Sequence, residues 1–287
     1  MKIAVSGSTG FIGGELIPSL RERGHDVVSL VREDFQHGDK ALADRIAGCD
    51  GIIHLAGAPI IKRWSEKHKQ RIYHSRIDTT RLFTKAIKRL KEKPAVFIST
   101  SGIDIYAADN TIEHTEETFT YGDTFLSRVT KDWESEANLI KPHSRVVIFR
   151  NGLVLGKSGG ALNQMLPVFK LGIGGRLGSG QQGFSWIHIK DLVKAYHFAL
   201  ENKEVKGVYN LTAPQPVSNH EFTRVLAKVL KRPAVFPVPE FALKFLYGEA
   251  TQVLTSGRFV RPRKLITQSF KFDYPTLEGA LRDIVSK

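Results

Sequence analysis

The chain is short of acids and nearly without cysteine. Its 287 residues include one cysteine, Cys49, which excludes an intramolecular disulfide and fits a reducing cytoplasm. No apolar run approaches the roughly 20 residues needed to cross a bilayer, so no membrane span is expected. The sequence opens directly on a strand pattern, so no secretory leader is expected either. Ten histidines fall in no C-x-x-C or H-E-x-x-H grouping, and no metal site is expected. Internal repeats and low-complexity tails are missing. Asp and Glu number 29 against 42 Lys and Arg, a formal net charge of +13. The basic residues crowd at Lys62, Arg63, Lys67, Lys69 and Arg71, at Lys85 to Lys93, and at Arg258, Arg261, Arg263 and Lys264. No stacking aromatics or groove-reading motif accompany them, so nucleic acid is not the expected partner. They read as solvated faces whose field steers an anionic ligand.

What is present begins at the first residues. Ile3 to Val5 is an apolar strand that runs into Gly7-x-x-Gly10-x-x-Gly13. Ile12, Leu16, Ile17 and Leu20 then repeat at helical spacing until Gly24, and Val27 to Val31 reads as a second strand. A glycine turn between strand and helix is a cradle for nucleotide phosphates. Gly7 permits the tight turn, Gly10 lets the backbone approach a pyrophosphate, and Gly13 lets helix and strand pack closely. The helix start adds unpaired N–H groups and a positive dipole end. Ser8 stands where the G-x-G-x-x-G form has its second glycine.

Further strands are expected at Gly51 to Leu55, Val96 to Thr100 and Arg145 to Phe149, with helices at Ser65 to Leu90 and Thr124 to Ala137. Such alternation predicts an α/β fold, a Rossmann-type doubly wound parallel sheet covered on both faces. Its ligand belongs at the carboxyl ends of the strands. Arg32 follows the second strand, where an acidic side chain would bind a ribose 2′-hydroxyl. Its guanidinium can grip a 2′-phosphate through a charge-assisted fork, so NADP is the expected cofactor, with Glu33 and Asp34 close by. Leu171 to Gly183 is a Gly-dense ordered loop and Ser218-Asn-His-Glu221 a capping box, and Pro233, Pro237 and Pro239 break the C-terminal stretch into short pieces. The expected organisation is a nucleotide-binding domain over residues 1–232, with substrate-side segments from about 156–190, and a small C-terminal substrate-side domain over 233–287.

Gly7-x-x-Gly10-x-x-Gly13, Arg32 and His54-Leu-Ala-Gly57 resemble the extended short-chain dehydrogenase/reductase superfamily. Arg150-Asn-Gly-Leu-Val-Leu-Gly156, Phe184-Ser-Trp-Ile-His-Ile189, Asn210-Leu-Thr-Ala-Pro214 and Phe236-Pro-Val-Pro239 narrow the resemblance to an atypical subgroup. These are epimerase-family proteins, described as nucleoside-diphosphate-sugar epimerases, with a C-terminal domain of their own. The resemblance implies that Gly7, Thr9, Gly10, Phe11 and Ile12 hold the pyrophosphate and Arg32 the 2′-phosphate. It places Leu55, Ala56 and Gly57 along the adenosine ribose, Arg76 on the cofactor and Leu153 near the nicotinamide.

Enzymes of the superfamily use a Tyr-x-x-x-Lys pair, in which tyrosine exchanges a proton with the substrate oxygen. None of the seven tyrosines here has a lysine four residues on, a departure shared with the subgroup. Substitutes would come from Ser101, with Ser99 and Thr100 beside it, from Tyr106 and from Lys131. His188 reads as a structural histidine with Asp191 as a helix cap, and Arg176 is free to meet an anionic substrate group. The expected function is an NADP-dependent oxidoreductase or epimerase acting on a small polar substrate, with nucleotide sugars among the candidates. The alternative is a non-catalytic NADP(H)-binding sensor or scaffold.

Overall fold

A computed structural model describes residues 1–286. Strand and helix alternate as β1 (Lys2–Ser6), α1 (Phe11–Glu22), β2 (Asp26–Leu30), α2 (Gly38–Ile46), β3 (Gly51–His54), α3 (Glu66–Arg89), β4 (Val96–Gly102) and α4 (Phe125–Asn138). Strands Arg145–Asn151 and Gly207–Leu211 complete a six-stranded sheet. Its order runs Gly207–Leu211, Arg145–Asn151, β4, β3, β1, β2, and every pairing is parallel. Because both faces are covered, the central strands are continuous apolar runs rather than alternating ones. Ile98 and Phe149 point into one core with Leu16 and Leu20 of α1. Phe97 and Ile148 point into the other with Phe83 and Ile87 of α3.

The chain therefore leaves β1 toward one face and β3 toward the other. A crevice opens between their carboxyl ends, where doubly wound sheets bind their ligands. Local chemistry fixes the helix starts. Ser65 accepts the His68 N–H at 3.2 Å and Thr124 accepts the Ser127 N–H at 3.2 Å. Ser218 likewise accepts the Glu221 N–H at 3.1 Å and opens α7 (Asn219–Leu230), which comes after α5 (Gly160–Lys170) and α6 (Ile189–Glu201). Each such cap stabilises its helix by about 1 kcal/mol.

The C-terminal residues are sewn into this frame. Leu265 and Phe270 join the core on the α1 face, and the last helix, Leu277–Val285, packs on α7 through Leu281 and Ile284. Phe259–Val260 pairs with Glu113–His114 in the excursion after β4. The expected pairing of His188 with an Asp191 cap is corrected. His188 is itself the cap of α6, its Nδ1 accepting the Lys190 N–H at 3.2 Å, and it stacks 3.9 Å from Tyr274. Asp191 instead clamps the C-terminal segment, accepting the N–H groups of Asp273 at 2.7 Å and Tyr274 at 3.0 Å.

Burial holds His54 and His188 neutral, with pKa values lowered to about 3 and about 4. In the unfolded chain each takes up a proton near pH 6.5. Between about pH 6.5 and 4 the unfolded state thus binds more protons. The contribution of these histidines is fully present above that window and lost as pH falls through it, by about 1.4 kcal/mol per pH unit for each. The unfolding free energy from urea melts is expected to hold from pH 7.5 to about 6.5 and then to fall toward pH 5 by about that slope, with the midpoint falling in step. A midpoint that stays constant would show that both rings accept protons in the folded state.

Candidate cofactor and substrate site

The turn after β1 has the shape of a cradle. Gly7 adopts φ +70°, and a Cβ there would lie 2.9 Å from the Ala56 nitrogen. A Cβ at Gly13 would lie 2.4 Å from the Gly7 carbonyl oxygen, so α1 sits closer to the turn than any side chain permits. Gly10 donates its N–H to the Gly7 carbonyl at 3.0 Å. No side chain caps the start of α1 at Phe11, which leaves its first N–H groups open to an anion. The Phe11 ring turns away and packs on the glycines at 156, 159 and 160, while Ile12 packs on the core.

A cleft of about 280 Å³ runs out from this turn. Gly7, Thr9, Gly10, Arg32, Leu55, Ala56 and Gly57 line it together. Its far wall is α3, through Arg71, Ser75 and Thr79, which sequence reasoning missed. Their spacing of four residues is the signal, since it sets all three on one helix face. Ser75 Oγ also accepts the Ala58 N–H at 2.9 Å, tying the β3 loop to that wall.

β2 ends at Leu30, and Arg32 opens a 3-10 turn over Arg32–Phe35. Glu33 beside it is exposed, while Asp34 is turned away, accepting the Val31 N–H at 2.7 Å and pairing with Arg45 at 3.3 Å. Arg32 is exposed and has no ion-pair partner among the described residues. A free guanidinium thus stands at the rim of the phosphate cradle.

Arg76 is not in the wall. It lies beneath, only 8% exposed, donating to the Ile72 carbonyl at 3.0 Å and the Ala58 carbonyl at 3.1 Å. Its guanidinium sits 5.3 Å from the Trp133 ring centre and under Gly57, where a Cβ would lie 3.0 Å from it. Burial lowers its pKa to about 10, which leaves it charged at neutral pH. It supports the β3 loop and does not face the cleft.

Leu153 borders a second, smaller cavity of about 150 Å³ between the sheet edge and the C-terminal segment. Asp104, Asn151, Ser185 and Arg258 share its wall. Arg258 Nη1 donates to Asp104 Oδ1 at 2.9 Å and its Nε to the Tyr106 carbonyl at 2.9 Å. The side-chain oxygen of Asn151 is buried without a hydrogen-bond partner among the described residues. Asp104 and Arg258 were not anticipated, and no periodicity brings together residues so far apart in the chain.

None of the three expected proton-transfer residues lines either cavity. Ser101 is buried and donates to Glu134 Oε1 at 2.7 Å. Tyr106 is fully buried, donates to Asn210 Oδ1 at 2.6 Å and accepts from Arg150 at 2.9 Å. Burial pushes its pKa up to about 12, against the pull of Arg150. Lys131 donates to the Gly122 carbonyl at 2.9 Å and lies over the Tyr121 ring. Ser101 and Tyr106 share one centre, the buried ion pair of Glu134 and Arg150. Thr100 faces the opposite way and meets Tyr196 at 2.7 Å. Arg176 is exposed and bonds to the Ser179 carbonyl at 3.0 Å, away from both cavities.

The profile of the NAD dependent epimerase/dehydratase family matches residues 3–212, and a domain of unknown function, DUF1731, matches residues 238–284. The epimerase family protein SDR39U1 of Mus musculus is 37% identical over 293 residues, covering 100% of both chains. The crystal structure of human SDR39U1, isoform 2, with NADPH superposes with a TM-score of 0.91 at 34% identity, over 99% of each chain. A UDP-glucuronic acid 4-epimerase from Bacillus cereus, solved with UDP-glucuronic acid and NAD, shares the fold at a TM-score of 0.80 and 19% identity, over 99% of this chain and 98% of that one. Among the described residues no helix is long and apolar enough to cross a membrane.

Proposed function

The chain belongs to the NAD dependent epimerase/dehydratase family, and from that premise we propose that it is an NADP(H)-dependent oxidoreductase or epimerase acting on a small polar substrate. The observation that carries the cofactor choice is the unpaired Arg32 beside the Gly7–Gly13 cradle, with Asp34 drawn off by Val31 and Arg45. The NADPH held by the human relative supports it. In this reading the phosphate and adenosine end occupies the cleft from Gly7 to Arg32, and Leu153 packs against the nicotinamide end. The bound nicotinamide supplies the hydride acceptor or donor.

The protein supplies the rest. Oxidation of a carbinol removes a hydride from carbon and a proton from oxygen. Asp104 is the one carboxylate in the wall of the inner cavity, and it takes that proton while Arg258 holds it in place. Asn151, in the same wall, stands where its side chain can meet a substrate hydroxyl. The C-terminal segment, through Arg258, thereby completes a substrate site that opens beside the sheet. Asp104→Asn is expected to lower turnover by about 10²-fold or more with NADPH affinity retained. An unchanged kcat would remove Asp104 from the chemistry.

The first test is a fluorescence titration with NADPH and with NADH, followed by a screen of carbonyl compounds and nucleotide sugars for NADPH oxidation. Gly13→Ala, which sets a methyl against the Gly7 carbonyl, is expected to weaken NADPH by about 5- to 150-fold, the equivalent of 1–3 kcal/mol of overpacking. Undiminished binding would place the pyrophosphate elsewhere. A second reading, a redox-state sensor without turnover, draws on the engagement of Ser101, Tyr106 and Lys131 in structural bonds. Tight NADPH binding with no substrate altering its redox state would favour it.

A further inference from the structure

At the amino-terminal ends of the strands, opposite the cofactor cleft, the turn after α1 meets the end of α6. His197 and Glu201 lie one helical turn apart on α6, on one face, and His25 stands immediately before β2. One ligand atom from each of the three lies within 4.8 Å of the other two. His197 is 2% exposed, and its Nδ1 is buried with no hydrogen-bond partner among the described residues. A buried nitrogen left unpaired costs about 1–3 kcal/mol, so the arrangement is incomplete as it stands. Its other nitrogen, Nε2, is 2.8 Å from Ser19 Oγ on α1. With Nε2–H donating to Ser19 Oγ, that bond fixes the ring and Nδ1 carries the free lone pair, the outer-shell device by which ligating histidines are oriented.

We propose that His25, His197 and Glu201 bind a divalent transition-metal ion of the zinc class, with water as the fourth ligand. Two imidazoles and one carboxylate suit such an ion, and ligand atoms about 2.0–2.2 Å from it in a tetrahedron lie about 3.3–3.5 Å apart. The cluster closes to that size by small movements of Glu201, whose side chain is exposed, and of His25, which is half-buried. Two cations oppose the ion. Arg23 pairs with Glu201 at 2.7 Å, and the Met1 ammonium is 3.4 Å from His25 Nδ1. Arg23 is half-exposed, so it swings into solvent when the carboxylate turns to the metal. The ion then clips the α1–β2 turn to α6, a structural role independent of the cofactor site.

Titration of the untagged full chain with Zn2+ alone tests this, with the visible d–d spectrum of Co2+ as a report on geometry. One Zn2+ per chain and a tetrahedral Co2+ spectrum are expected. His25→Ala and Glu201→Gln, chosen because neither empties the core, are each expected to weaken binding by about tenfold or more. Arg23→Gln is expected to tighten it several-fold by removing the competing cation, a direction that a purely structural salt bridge would not produce. NADPH affinity in His25→Ala stays at the parent value and shows that the variant is folded. No stoichiometric Zn2+ uptake, or uptake that His25→Ala leaves unchanged, overturns the assignment.

Discussion

Glu134→Gln is expected to destabilise the protein by about 3–5 kcal/mol, the cost of leaving a buried charge without its partner. Glu134 on α4 and Arg150 on the strand Arg145–Asn151 are both nearly inaccessible, and two bonds of 2.7 Å join them as a fork. Burial works against the guanidinium charge, and Glu134 outweighs it, holding the Arg150 pKa above its ordinary value. With glutamine in place, Ser101 loses its charged acceptor and Arg150 retains Tyr106 as a neutral one. The Tyr106 ring, 5.0 Å from the guanidinium, does not replace a carboxylate. The urea midpoint measures the loss at constant slope. A change below about 1 kcal/mol would mean that water reaches Arg150 and that the pair behaves as a surface one. Replacing both partners by apolar residues of similar volume is expected to recover much of the loss, since the desolvation of two charges is then no longer required. Asn151 ends the same strand and Leu153 opens the next one two residues on, so Glu134→Gln should also weaken NADPH without touching it.

The parts of this molecule that the sequence makes legible are those built from neighbours in the chain. The Gly7–Gly13 turn, the caps at Ser65, Thr124 and Ser218, and the alternation that gives the parallel sheet all rest on spacings of a few residues. The burial of two expected site residues was also readable. On β4 side chains alternate, so Ser101 shares a face with Phe97 and Ser99, toward α4, while Thr100 points to α6 and meets Tyr196. The three adjacent hydroxyls therefore do not face one site. Arg76 likewise falls in the stripe of Ile72, Thr80, Phe83 and Ile87, the buried face of α3, whereas Arg71, Ser75 and Thr79 form the neighbouring face that lines the cleft. What no spacing reveals is contact across the chain. Arg258 reaches Asp104 only because Phe259–Val260 pairs with Glu113–His114, and His25 reaches α6 only because α1 packs on it.

Arg32→Ala should separate the two nicotinamide dinucleotides more sharply than any other single change. NADPH affinity is expected to fall by about 10- to 150-fold, the equivalent of 1.5–3 kcal/mol for a charge-assisted bond to phosphate, with NADH affinity within about twofold. The direction is set by the surroundings of Arg32. No carboxylate among the described residues pairs with it, Asp34 being held by the Val31 N–H and Arg45, and its place at the end of β2 borders the same cleft as Gly7 and Leu55. The guanidinium is exposed, so salt screens it, and the gap between the two cofactors should narrow as ionic strength rises past the physiological range. Arg71 provides the internal control. It is the other cation in the cleft wall, one turn before Ser75 on α3. If Arg32→Ala weakens NADPH and NADH equally, Arg32 is not at the 2′-phosphate. Arg71→Ala then decides whether that phosphate binds against α3 instead. If Arg32→Ala acts on NADPH alone, the 2′-phosphate sits at the end of β2, and the free guanidinium is the feature by which this cleft selects its cofactor.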